Sequence, residues 1–368
     1  MNLRVITCLA IPFVFCVTGC QRNFLPSTFV DPPAINPQVQ ILEIEKSIAE
    51  AHRRLASPAA NWNFGNLSSG DAYRDADTFN VLNSQIKIER KKAACLEGIE
   101  KVNDAIRLIN GAKVYDEDLA ALQMAELRFL RGHFSFELQR IADVMPSDAF
   151  STESLSIRPP WTQIEADFKV AAISLPFAGG LQPGKPGRFA AWAYLAKTYL
   201  YQKKWAEAIR AADEVIDNGG YILMPEFADV FLAESDKNLE IVFAIQYFDE
   251  EADAQPNVAK QDYLVASGGL VNYFYVIRYA DVLLWRAEAA IELADYETGR
   301  QLINQIRRRA RDGEKNQKAG HVTAYKIAEY TTLFDCYECA IDALKDERRL
   351  EFALEGHRYF DLLRWGGH

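Results

Sequence analysis

The sequence predicts a mainly α-helical, tetratricopeptide-like scaffold of helical hairpins with long loops and minor β structure. Three observations predict it. Apolar residues recur at helical spacing over long stretches. Two later segments repeat one helix–turn–helix layout. A single short run, Glu240 to Phe248, is rich in strand formers.

At the amino end Arg4 gives a positive start, and Val5 to Val17 form an apolar core too short to span a bilayer. Thr18-Gly19-Cys20 then closes the segment with small residues. Val17-Thr18-Gly19-Cys20 fits the bacterial lipobox. Residues 1–19 are therefore expected to leave as a signal peptide, with Cys20 becoming the lipid-modified first residue of a tethered chain. Gln21 stands where an Asp would commonly retain a lipoprotein in the inner membrane, which points to the outer membrane. Residues 20–37, proline-rich from Pro26 onward, are read as a flexible tether.

Asn36-Pro37 is a good helix start, and Val39, Ile41, Leu42, Ile44, Ile48, Ala51 and Leu55 then keep helical period to about Ser57. A loop rich in Gly, Asn and Ser follows. A second helix is patterned by Ile86, Ile88, Leu96, Ile99, Val102, Ile106 and Ile109, and a third covers residues 118 to 143. Next, Ala196 to Leu200 leads through Lys203-Lys204-Trp205 to Ala208-Ile209, and Ala287 to Ile291 leads through Asp295-Tyr296 to Gly299 and Leu302-Ile303. In both, a small residue precedes an aromatic at the inter-helix turn by the same interval. Small residues let two helices approach and the aromatic plugs the turn, so Trp205 and Tyr296 are read as packing. After the short strand, Asp249 to Tyr275 lacks helical period and is read as loop.

A net charge of -10 over 368 residues argues against a nucleic-acid partner, which needs a basic face. The basic runs Lys87 to Lys92 and Arg307 to Arg311 are read as solvated helix faces. Of six cysteines, Cys8 and Cys16 lie in the signal and Cys20 takes lipid, leaving Cys95, Cys336 and Cys339. Cys336-Tyr337-Glu338-Cys339 has redox or zinc spacing but lacks a second pair. The expectation is incidental thiols, with a local disulfide as the alternative.

The chain ends in a dense block of charge and aromatics: Glu347-Arg348-Arg349-Leu350-Glu351-Phe352, then Glu355-Gly356-His357-Arg358-Tyr359-Phe360-Asp361-Leu362 and Arg364-Trp365-Gly366. With Val276-Ile277-Arg278-Tyr279-Ala280-Asp281-Val282-Leu283-Leu284-Trp285-Arg286-Ala287-Glu288-Ala289, it closely resembles the C-terminal signature of the SusD/RagB family. Phe24-Leu25, Asn61 to Gly65, Arg128-Phe129-Leu130-Arg131, Gly187-Arg188 and Tyr199-Leu200 resemble the family's earlier segments. The resemblance implies a SusD-like α-superhelix at the outer surface. It also implies a glycan or other nutrient as ligand, a SusC-like TonB-dependent transporter as partner, and no enzymatic activity. Relatives carry a longer insertion before the position of Arg278, where about thirty residues stand here. The organisation expected is then 38–230 as an N-terminal helical region, 231–275 as a strand and shortened loop, and 276–368 as a C-terminal helical region, all in one compact domain.

Glu351, Glu355, His357 and Asp361 could be drawn as acid, base or metal ligands, which would make a carboxylate-dependent glycoside hydrolase. The reading preferred here is that this block forms ion pairs fixing two short helices on the scaffold, with Gly356 breaking the helix between them. Sugar binding needs a flat aromatic against the pyranose with amide, carboxylate or guanidinium groups on its hydroxyls. Trp62, Asn63, Phe64, Asp71, Tyr73 and Arg74, beside Asn61 and Asn66, supply that mixture best. Tyr273, with Tyr263, Asn272 and Tyr275, supplies it second. No cofactor is expected, and a structural calcium is left open. A third function class is a helical-repeat lipoprotein of the envelope that serves protein assembly alone.

Overall fold

Both hairpins expected from the repeat form in the computed structural model, which describes residues 37–56, 81–112, 116–144, 159–177, 185–232, 238–247, 272–316, 327–353 and 355–366. These residues belong to one compact unit, Pro37–His368. Helix α1 (Pro37–Leu55) starts on its proline, whose missing N–H leaves no first-turn bond unmade. It buries Ile44, Ile48, Ala51 and Leu55, one stripe of its surface. Then follow α2 (Val81–Gly111), α3 (Glu117–Val144), α4 (Trp161–Ser174), α5 (Arg188–Tyr201), α6 (Trp205–Asn218) and the single turn α7 (Asp229–Leu232). Strands β1 (Ile241–Tyr247) and β2 (Asn272–Arg278) lead into α8 (Tyr279–Glu292), α9 (Tyr296–Asn316), α10 (Tyr337–Glu351) and α11 (Arg358–Arg364). Neighbours in sequence pack on each other from α1 through α6. The stack then passes from α6 to α8 and on through α9 to α10, the arrangement of a helical-hairpin solenoid. No helix among the described residues is long and apolar enough to cross a membrane.

The two hairpin turns repeat bond for bond. In the first, Lys203 N–H donates to Leu200 O and Lys204 N–H to Tyr199 O; in the second, Ala294 N–H donates to Ile291 O and Asp295 N–H to Ala290 O. Lys203 and Ala294 occupy matching left-handed positions, φ 57° and 63°. Such paired bonds satisfy the carbonyls a helix end leaves open. Trp205 and Tyr296 sit as the first residues of α6 and α9, both half-buried against the core, as the spacing predicts. Ala208 and Gly299 let the facing helices close in: a Cβ on Gly299 would stand 2.6 Å from Ile291 Cγ1.

The core is continuous and aromatic-rich. Phe168 of α4 stacks on Tyr194 of α5 at 4.7 Å, and Phe129 of α3 meets Phe168, Tyr194 and Phe243 edge-on at 5.0–5.7 Å. Arg128 and Arg131 flank Phe129 and Leu130 and bind the fully buried Asp167 of α4. Arg131 Nε and Nη2 donate at 2.8 and 2.7 Å, and Arg128 Nη1 at 3.0 Å. The Arg-Phe-Leu-Arg segment thus ties α3 to α4 through both chemistries. Gly132 completes that contact, since a Cβ there would lie 2.8 Å from the Phe168 ring, which is fully buried and has nowhere to go. Gly132→Ala is expected to lower unfolding free energy by about 1–2 kcal/mol despite alanine's better helix propensity. Urea denaturation checks this, and an unchanged midpoint would contradict the close approach.

The sheet corrects one expectation. Asn272 to Tyr275, read from sequence as loop, are strand: Tyr247 pairs with Asn272, Gln246 with Tyr273, and Ala244 with Tyr275 in antiparallel register. From Tyr273 to Leu284 the sequence is one nearly unbroken apolar run, and periodicity cannot divide it. The division falls at Arg278, whose N–H donates to the Asp281 carboxylate at 3.1 Å. Asp281 is the third residue of α8, where a carboxylate caps the helix and meets its positive end. Tyr279 N–H donates to Glu240 O at 2.7 Å, anchoring α8 on the start of β1.

Candidate functional site

The charged C-terminal block folds back on the β2–α8 junction. Arg278, 1% exposed, spans three carboxylates. Its Nε and Nη2 bind Glu355 as a fork at 2.9 and 2.6 Å, its Nη1 reaches Glu240 and, at 2.9 Å, Glu351, and its Nη2 also donates to Glu351 O at 3.2 Å. Arg309 of α9 adds bonds to Glu240 and Glu351. The Arg278 and Arg348 guanidinium groups both lie 4.9 Å from the Phe352 ring. Burial raises the Glu240 and Glu355 carboxyls against the pull of these cations, Glu355 to about 7.

A second knot locks α11. Arg348 Nε donates to Asp361 at 2.7 Å, Arg364 joins Asp361 at 2.9 Å, and Arg364 forks onto Glu288 of α8, which is fully buried. Trp365 Nε1 donates to the same Glu288 at 2.9 Å. Burial alone would raise Asp361, but Arg348 and Arg364 overcome it and bring the carboxyl down to about 2. Gly356, with φ +78°, breaks the chain between the last two helices as expected. His357 then packs 4.9 Å from the Phe352 ring with Nδ1 3.6 Å from Asp281, and burial lowers its imidazole to about 4. Glu351, Glu355 and Asp361 are all engaged by guanidinium groups, so the block forms the ion-pair lock read from the sequence. Arg349 is exposed and stands outside it.

Two sequence readings are corrected here. The basic runs are not wholly solvated: Lys91 is buried and binds Glu137 at 2.7 Å, Arg309 is buried in the first knot, and Arg307 binds Glu347 at 2.8 Å. Helical period could not show this, because the partners come from other elements. Cys336 and Cys339 are joined as a disulfide rather than held as thiols. Cys95 is the free thiol among the described residues, and burial pushes it up to about 12.

A cavity of about 40 Å³ opens between α2, α3, α5, β2 and the turn before α11, lined by Lys91, His133, Glu137, Lys197, Glu355 and His357 among others. It has room for a few waters and is far below the ~300 Å³ at which ligand pockets begin. No sugar ring fits it. His133 Nδ1 and the Tyr194 hydroxyl are 2.5 Å apart, and burial lowers His133 to about 4.

Of the residues expected to meet a ligand, Trp62, Asn63, Phe64, Asp71, Tyr73 and Arg74 lie outside the described residues, as do Tyr263 and the expected lipid-attachment residue Cys20. Tyr273 is placed by its backbone near the open end of β2, opposite Gln246. Tyr275 is a packing residue, its ring 6.0 Å from Phe231. Sequence reasoning passed over Glu240, Asp281, Glu288 and Lys197. Each is a charged residue set within or beside an apolar run, Lys197 between Ala196 and Leu200 and Glu288 among alanines, and that pattern is the available signal of a buried pair.

These features define a stacked-hairpin protein whose C-terminal segment is ion-locked onto its core. It is SusD/RagB-like, and residues 240–368, which hold the whole lock, match the SusD family. A SusD-like protein of Formosa agariphila is 30% identical over 122 residues, which cover 31% of this chain and 23% of that relative's length. A SusD superfamily protein of Bacteroides vulgatus shares the fold with TM-score 0.65 at 20% identity, over 88% of each chain. A laminarin-binding SusD-like protein does so with TM-score 0.64 at 18% identity, over 88% of this chain and 91% of its own. Surface glycan-binding protein A of Bacteroides uniformis gives 0.62 at 17%, over 89% and 88%.

Proposed function

We propose that this chain captures an oligosaccharide or similar nutrient at the outer membrane and passes it to a SusC-like TonB-dependent transporter, leaving the ligand's bonds intact. The observation that carries this reading is the match of residues 240–368 to the SusD family, joined to a fold shared with a laminarin-binding protein over most of both chains. Lipid on Cys20 tethers the chain through the 20–37 segment, facing the cell surface. The engaged carboxylates of the C-terminal block favour binding over hydrolysis. In this reading the ligand is met by Trp62, Asn63, Phe64, Asp71, Tyr73 and Arg74, with Tyr273 as a second contribution, since the cavity between α2, α3, α5 and β2 is too small.

A panel of oligosaccharides that includes laminarin fragments, run by affinity electrophoresis and calorimetry, tests the reading. The chain is expected to retain at least one glycan and to release no reducing ends from it. Trp62→Ala with Tyr73→Ala is expected to weaken that glycan at least tenfold, about 1.4 kcal/mol. Unchanged affinity would remove the loop from the site, released reducing ends would make the chain a hydrolase, and transporter pulldown without glycan retention would leave assembly alone.

A further inference from the structure

At the start of α10, Asp335, Cys336 and Cys339 each present one ligand atom, a carboxylate oxygen and two Sγ, all within 4.8 Å of one another. Asp335 and Cys339 are exposed and Cys336 is half-buried, so reductant and ion alike can reach them. Cys339 N–H donates to Cys336 Sγ at 3.0 Å, and Cys339 Sγ lies 3.5 Å from Asp335 Oδ1. Cys336 caps a helix of 15 residues, where free N–H groups and the positive helix end favour a thiolate. Around it stand Glu338 in the first turn and Glu292, which accepts from the Tyr337 hydroxyl at 2.8 Å. The surroundings are therefore acidic and suit a cation. Two thiolates and a carboxylate make a donor set for zinc and its borderline-soft relatives rather than calcium or magnesium.

We propose that Cys336, Cys339 and Asp335 form a redox-gated site for one zinc-class divalent cation, with the Cys336–Cys339 disulfide as its closed state. An external dithiol opens it. Its first thiolate attacks one sulfur, forming a mixed disulfide and freeing the other cysteine as thiolate; its second thiol then displaces the remaining cysteine. The dithiol leaves oxidised, and two protein thiols remain. The cation takes both sulfurs as thiolates, two protons pass to solvent, and Asp335 and a water fill the other positions. The sulfurs part to about 3.8 Å, the edge of a tetrahedron with ~2.3 Å metal–sulfur bonds. Buried Cys95 takes no part.

The full chain, reduced with a phosphine and freed of it without air, is titrated with Co²⁺ as an optical probe and then with Zn²⁺. Cys336→Ser with Cys339→Ser leaves Cys95 in place and gives the background. One equivalent of Co²⁺ is expected above that background, with sulfur-to-cobalt charge-transfer absorption, and Zn²⁺ displaces it. The air-oxidised chain is expected to bind at least a hundredfold more weakly. Asp335→Asn is expected to keep the sulfur band and lose about tenfold in affinity. Absence of the band above background, equal binding by oxidised chain, or an unmoved affinity in Asp335→Asn would each overturn the site. If the double serine variant does not fold, the oxidised chain and the exposed Asp335→Asn substitution still decide. None of these outcomes bears on glycan capture.

Discussion

Arg278→Met is expected to destabilise the chain by about 3–5 kcal/mol, a large fraction of the stability of an ordinary domain. The substitution removes the one cation shared by Glu240, Glu351 and Glu355. Arg309 would remain on Glu240 and Glu351, while Glu355, whose carboxyl burial already raises to about 7, loses its guanidinium fork. Removing one partner of a buried pair leaves the other's desolvation uncompensated, which costs more than the pair contributed. Arg278→Lys keeps the charge but not the fork, because one ammonium cannot meet Nε, Nη1 and Nη2 geometry at once. It is expected to recover only part of the loss. Adding Glu355→Gln to Arg278→Met removes the carboxyl that lost its fork to Arg278, so the double variant is expected to be less destabilised than the sum of the singles. Chemical denaturation of the parent, Arg278→Met, Arg278→Lys, Glu355→Gln and the double variant checks this. Additivity, or a loss under about 1 kcal/mol for Arg278→Met, would mean that the C-terminal segment is held by apolar packing and the lock is incidental.

The helices were legible because amphipathic period is a local property: Ile44, Ile48, Ala51 and Leu55 line one stripe of α1 in sequence and in space. The hairpin repeat was legible for the same reason, since Trp205 and Tyr296 mark turns whose bonds close within five residues. What was not legible is what depends on distant partners. Arg278 looked like one charge in an apolar run, and its partners lie as far as 77 residues away. That distance also explains the missed start of β2, because a strand and a buried helix share the same apolar signature until a cap and an ion pair separate them at Arg278. The charged block was readable as an ion-pair lock, from its dense mixture of acidic and basic residues without a nucleophile or zinc-type motif, though without the identity of Glu288 or Asp281. Of the candidate ligand residues, Tyr275 shows the limit of composition: an aromatic beside amides serves a binding face or a core equally well, and only its contact with Phe231 decides.

Between pH 7 and 8.5 the stability of this chain is expected to rise by about 1 kcal/mol, and Lys197→Met is expected to abolish the rise. Lys197 is 4% exposed, its Nζ 5.3, 5.9 and 5.5 Å from the rings of Phe136, Tyr194 and Trp285. Burial, with the Arg140 guanidinium second, brings its amine from 10.5 down to about 7, against the pull of Glu137 and Asp281. The unfolded chain therefore holds a proton between those two values that the folded chain lacks. Stability then rises with pH across the interval, at about 1.4 kcal/mol per unit. His133 and His357, both near 4 when folded, titrate below the window, while Glu355, near 7, gives up its proton around the lower edge and opposes the rise there by ~0.4 kcal/mol. The upper bound is set by Cys95, which keeps its proton to about 12 in the fold, so that above pH 8.5 the unfolded thiol ionises first and opposes the trend. Methionine matches the lysine stem in length and places a polarisable sulfur among the three rings, removing the buried ammonium without opening a void. Lys197→Met is accordingly expected to be more stable than the parent at pH 7 by several kcal/mol, with the difference narrowing as pH rises. Urea titrations at half-unit steps would show it, and a flat parent profile, or a variant that keeps the slope, would mean that the lysine stays charged inside its aromatic cage.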